Sequence, residues 1–174
     1  IPLGSRKPEV VLIGASAGGP PAIERILAEL PYNFPLPVVI CQHMPDGFTR
    51  VWSERLDALC SLDVREARNG QTLAPRTVTI APIGRHLRFH REDRAVSLAL
   101  THDTADALHV PSIDVMFSSA AEVFASKTLA ILLTGLGSDG AAGMLAIRRA
   151  GGHTVTESRE SALSYSMPGA AVEC

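Results

Sequence analysis

The stretch Glu9–Leu30, EVVLIGASAGGPPAIERILAEL, decides the fold class. Its first five residues, Glu9 to Ile13, form a short run dominated by β-branched and aliphatic side chains, long enough for a buried strand and too short for a helix. Gly14, Gly18 and Gly19 then permit a sharp turn. From Pro21 to Leu30 the apolar residues recur at helical spacing, and a proline suits a helix first turn because its missing N–H loses no bond there. The same grammar returns in LAILLTGLGSDGAAGMLAIRRA, where an apolar strand from Leu129 to Thr134 meets a Gly-rich loop and a helix from Ala141 to Ala150. Strand–turn–helix units whose strands read as continuous apolar runs point to a parallel sheet covered on both faces.

Outward from these two units the pattern continues. Pro37–Cys41 (PVVIC) and Thr77–Ile80 read as strands, Phe48–Leu59 as an amphipathic helix, Pro111–Ala125 as a helix, and His153–Thr156 as a last short strand. His86 to Leu100 alternates apolar and polar residues on both sides of a charged turn, which predicts an antiparallel hairpin. The expected architecture is α/β: a doubly wound, mainly parallel sheet with helices on both faces and one antiparallel β-hairpin. Residues 1–8 (IPLGSRKP) read as a linker or expression remnant, and 9–174 as one domain. At 174 residues with 46% hydrophobic and 20% charged side chains, the chain is globular in composition. A net charge of −2 excludes the strong basic field of a nucleic-acid binder. No apolar run approaches the ~20 residues needed to cross a bilayer, so membrane insertion is not expected. Three cysteines, Cys41, Cys60 and Cys174, are too few and too odd in number for a disulfide framework, which predicts a reducing cytoplasm.

Sites in open parallel sheets form beyond the carboxyl ends of the strands, and three polar loops fall there. Gly14-Ala15-Ser16-Ala17-Gly18 fits the G-x-S-x-G pattern, in which glycines allow a turn that exposes a serine hydroxyl above a helix N-terminus. Ser16 as a plain N-cap is the competing reading. Gln42-His43-Met44-Pro45 puts a histidine at the same sheet edge, where it is either a base or a partly buried structural residue. Gly135-Leu136-Gly137-Ser138-Asp139-Gly140 supplies an acid that could orient an imidazole or only complement a helix dipole. Together the loops offer the nucleophile, base and orienting acid that a hydrolytic triad requires, in a chain order different from that of α/β-hydrolases. A rival reading is a dinucleotide site: Gly135-x-Gly137-x-x-Gly140 lies between strand and helix, with Glu157 roughly 20 residues on. Asp139 argues against it, because it would set a carboxylate beside the pyrophosphate. His86 and His90 sit four apart in a strand, where they do not converge on a metal. Arg85–Arg94 contains Glu92 and Asp93 and reads as a solvated hairpin. Cys41 reads as a small buried hydrophobe.

Six segments, in order, carry a resemblance that covers nearly the whole chain: VLIGASAGGPPAIERIL, QHMPDGFTRVWSERLD, API-GRHL, PSIDVMFSSAAEVF, ILLTGLGSDGAAGMLAIRRAGG and SYSMPGAA. They resemble the catalytic domain of the chemotaxis protein-glutamate methylesterase CheB. The resemblance implies the doubly wound fold with its hairpin, Ser16 as nucleophile, His43 as its base, Asp139 as the partner of His43, and no cofactor or metal. By the same similarity the backbone N–H groups of Ala17 and Leu136 are the candidate oxyanion hole. It implies hydrolysis of γ-glutamyl methyl esters on the cytoplasmic helices of chemoreceptors, with deamidation of glutamines in some members. The chain departs from the family pattern at Ala17, where Thr or Ser is usual, at Leu136, where Met is usual, and at Val110, where Arg is usual. The resemblance implies that 9–174 is the methylesterase catalytic domain, with no receiver domain within it, and that the family's N-terminal receiver domain is the expected partner in a full-length protein. A nucleotide-dependent oxidoreductase built on the Gly135 loop and a non-catalytic receptor-binding module are the two alternatives.

Overall fold

A computed structural model describes residues 7–93, 95–102 and 108–174. Most of the expected leader, residues 1–6, and Arg94 of the expected hairpin turn lie outside the described residues. Strands β1 (Val10–Ala15), β2 (Val38–Gln42), β3 (Asp63–Glu66), β4 (Thr77–Ile80), β7 (Thr128–Leu132) and β8 (His153–Thr156) form one six-stranded sheet in the order β3-β4-β2-β1-β7-β8. Every pairing in it is parallel. Strands β5 (His86–Glu92) and β6 (Ala95–Thr101) make the separate antiparallel hairpin.

β1 and β2 are buried along their whole lengths, which is why their sequences show no polar alternation. Their odd and even residues face different layers. Val11, Ile13, Val38 and Ile40 pack under helices α1 (Gly19–Ala28) and α2 (Phe48–Leu59), with Ile23, Leu27, Trp52 and Leu56. Val10, Leu12, Val39 and Cys41 pack on the opposite face with α3 (Ile113–Phe124), α4 (Ala141–Arg149) and the hairpin residues Leu87, Phe89 and Leu98. Helix α5 (Ser166–Glu173) adds Met167 to that second layer. The chain runs from β1 outward through β2, then returns to place β7 on the other side of β1. The winding therefore reverses between β1 and β7, and a crevice opens above their carboxyl ends.

Candidate active site

The three polar loops expected to carry chemistry emerge from three adjacent strands. β1 pairs β2 up to Ala15 and Gln42, and the ladder continues one step, with the His43 amide donating to Ala15 O at 3.0 Å. Ser16 and His43 thus leave the sheet side by side, on strands about 5 Å apart. On the other flank the Ser16 amide donates to Thr134 O at 3.0 Å, tying it to the end of β7. The Ser16 carbonyl accepts from Gly19 N at 2.9 Å and from Gln42 Nε2 at 2.8 Å. The buried Gln42 amide also donates to His43 O at 2.8 Å, so one side chain fixes both loops. Gly18 sits at φ 82° where α1 starts, which supplies the sharp turn the glycines promised.

His43 Nε2 lies 2.8 Å from Asp139 Oδ2, and the two side chains are only 10% and 11% exposed. When that nitrogen donates to the carboxylate, the neutral ring carries its lone pair on Nδ1. His43 Nδ1 is buried and has no hydrogen-bond partner among the described residues. The Asp139 carboxylate is saturated: Oδ2 also accepts from Ile113 N at 2.8 Å, and Oδ1 accepts from Ser112 Oγ and Asp114 N, both at 2.9 Å. Asp139 precedes α4 in sequence, yet its carboxylate turns away to take the free amides of the α3 N-terminus. Asp114 returns the favour, its Oδ1 accepting from Gly143 N of α4 at 2.7 Å. Burial pushes the Asp139 carboxyl up, but the bonds from His43, Asp114, Ile113 and Ser112 outweigh it and hold the group at about 2. Asp114 is raised, first by burial and also by the charge of Asp139, with the Gly143 bond opposing.

The loop after β7 lies against Ser16 because of one glycine. A Cβ at Gly135 would stand 2.8 Å from Ser16 Cβ and press into the Met167 sulfur, so no larger residue fits. The segment returning from β8 clasps both loops. Thr134 Oγ1 donates to Ala17 O at 2.8 Å and accepts from Ser164 N at 2.9 Å, while Ser164 Oγ donates to Gly135 O at 3.0 Å. Among the described residues nothing takes up the amides of Ala17 or Leu136, and both residues are exposed at the mouth of the crevice. The motif that suggested a dinucleotide site does fold as strand, loop and helix. Its acid is otherwise engaged: Glu157 Oε2 accepts from Thr134 N at 2.8 Å and closes the end of β7. His86 is fully buried on β5 and its Nδ1 accepts from Ser112 N at 3.2 Å, whereas His90 is exposed. Among the described residues there is no group of His, Cys, Asp and Glu that could hold a metal ion. No described helix is long and apolar enough to cross a membrane.

A family model described as CheB methylesterase matches residues 11–174. The chain belongs to the CheB methylesterase family. It is 48% identical to protein-glutamate methylesterase/protein-glutamine glutaminase 3 of Geobacter sulfurreducens, over 94% of this chain and 44% of that protein. The protein-glutamate methylesterase/protein-glutamine glutaminase of Caldanaerobacter subterraneus subsp. tengcongensis is 46% identical over 97% of this chain and 47% of its own length. The chain thus spans about half the length of the curated relatives it matches. The crystal structure of the Thermotoga maritima CheB methylesterase catalytic domain superposes with a TM-score of 0.92 at 37% identity, covering 96% of this chain and 88% of that one. The expected parallel sheet with its separate hairpin is the fold of this family.

Two participants in the site were not singled out from sequence. Ser112, the N-cap of α3, accepts from Val115 N at 3.3 Å while its hydroxyl donates to Asp139. His109 lays its ring on that of His43, with centroids 4.1 Å apart and planes at 23°. The only local signal was position, since both residues flank Pro111 where a helix was expected to begin.

Proposed function

We propose that this chain is a serine hydrolase that demethylates γ-glutamyl methyl esters on the cytoplasmic helices of chemoreceptors, and deamidates glutamines there, in sensory adaptation. In this reading Ser16 Oγ attacks the ester carbonyl as His43 Nδ1 takes its proton. The tetrahedral oxyanion points to the amides of Ala17 and Leu136, each donor contributing about 3 kcal/mol in the transition state. Collapse breaks the C–O bond to the methoxy group, which leaves as methanol with the proton from His43. Water then gives a proton to Nδ1 and attacks the acyl-serine, freeing the glutamate and returning the proton to Ser16. Asp139 keeps the imidazole in the Nε2–H tautomer and stabilises its charged form. The names of the relatives support the reaction class, and the enzyme works without cofactor in this scheme.

The observation that carries the proposal is the half-buried His43–Asp139 pair, whose Nδ1 has no partner among the described residues, one ladder step from Ser16. The test is methanol release from a methylated chemoreceptor cytoplasmic fragment. The unmutated chain is expected to release methanol, and Ser16→Ala to lose at least 10³-fold in rate with an unchanged unfolding transition. Methanol release that survives Ser16→Ala refutes the assignment. Binding of the fragment without turnover by the unmutated chain points to a non-catalytic receptor-binding module instead.

A further inference from the structure

The loop ahead of α3 does two things at once. Ser112 donates to Asp139 Oδ1, and three residues earlier His109 lies across the His43 ring. The catalytic-site imidazole is therefore held at its edge by a carboxylate and on its face by a second imidazole. Both rings border a small cavity of about 60 Å³ with Met44, Ile83, Val110 and Pro111. The titratable groups facing His109 among the described residues are His43, at the end of β2, and Asp139, in the β7–α4 loop. Partial burial first, and then His43, lower the His109 value, while Asp139 raises it, so His109 keeps its neutral form to lower pH than a free imidazole does.

We propose that His109 is a positioning residue for the general base: its stacked imidazole fixes the plane of the His43 ring on Asp139 and faces the imidazolium formed as Ser16 loses its proton. This inference rests on the triad reading of the site. A neutral aromatic face stabilises a neighbouring cation, whereas a protonated His109 repels it. Protonation of His109 sets a like charge against the face of the His43 ring, so the acid side of the activity profile carries the His109 titration.

Two variants separate stacking from titration. His109→Ala removes both and is expected to lower kcat about tenfold with KM little changed, the scale of one aromatic pair. His109→Phe keeps a face on His43 and is expected to restore most of kcat at pH 8. Its acid limb steepens less, because one titrating group is gone. A second measurement needs no turnover: the His109 ring is titrated by NMR in Ser16→Ala and in Ser16→Ala/His43→Gln. The apparent pKa of His109 is expected to rise when His43 is replaced. If the unmutated chain releases no methanol, the NMR titration alone decides the ring pairing while the esterase reading falls. An unmoved His109 titration overturns the proposal, as does a His109→Ala enzyme with unmutated kcat and pH profile.

Discussion

Replacing Asp139 with asparagine is nearly isosteric, yet it is expected to cost about 3 kcal/mol of stability at pH 7. The carboxylate oxygens each accept two hydrogen bonds, and each takes one backbone amide of α3: Asp114 N on Oδ1, Ile113 N on Oδ2. An asparagine has one acceptor oxygen and one NH2 group. Whichever way its amide turns, a helix amide meets a donor and loses its partner, at about 1–3 kcal/mol. The charge adds a second contribution. The native carboxyl sits at about 2 against an ordinary 3.8, a difference worth about 2 kcal/mol by linkage, and the two effects overlap in part. Because the folded value is depressed, this second part is complete above the unfolded value and is lost as pH falls through the folded one. Urea unfolding of both proteins at pH 7 and pH 3 measures it. The gap is expected to narrow by about 1 kcal/mol at pH 3. Equal stabilities at pH 7, or a gap independent of pH, would refute the capping role. Activity is expected to fall on the order of 10³–10⁴-fold, since an amide facing Nε2 shifts the His43 proton to Nδ1.

Two further outcomes follow from packing and burial. Gly135→Ala places a methyl against Ser16 Cβ and the Met167 sulfur, so it is expected to destabilise by about 1–3 kcal/mol and to suppress methanol release by moving the loop off Ser16; a thermal melt and the methanol assay check both. Burial raises the Cys41 thiol well above its ordinary value and raises Cys60 less completely, whereas Cys174 is exposed. A thiol reagent at pH 8 followed by peptide mapping is therefore expected to label Cys174 first and Cys41 only after unfolding.

The legible parts of the sequence were those where burial dictates residue type. Phe48–Leu59 and Thr77–Ile80 form a helix and a strand at the expected bounds, because their apolar spacing has one solution. β3 escaped reading because it is a four-residue edge strand in which only Val64 is buried, with Asp63 and Arg65 facing water. α5 escaped because Pro168 and Gly169 argue against a helix interior, although a first-turn proline is tolerated. At the candidate site, the placement of Ser16, His43 and Asp139 at one sheet edge was legible because each follows an apolar strand. The alternative for Asp139, a carboxylate serving the dipole of its own helix, gave way to a different geometry: it caps α3, across the crevice. Position beside Pro111 is all that marks Ser112 and His109 locally, and their roles depend on where α3 starts relative to β7.

The central claim is that Ser16, His43 and Asp139 act as one chemical unit, and a mutant cycle on methanol release tests it most directly. Ser16→Ala, His43→Gln and the Ser16→Ala/His43→Gln double variant are compared with the unmutated chain, each checked for folding. If His43 acts only through Ser16, the double variant is no slower than Ser16→Ala alone. Losses that multiply in the double variant would contradict the account.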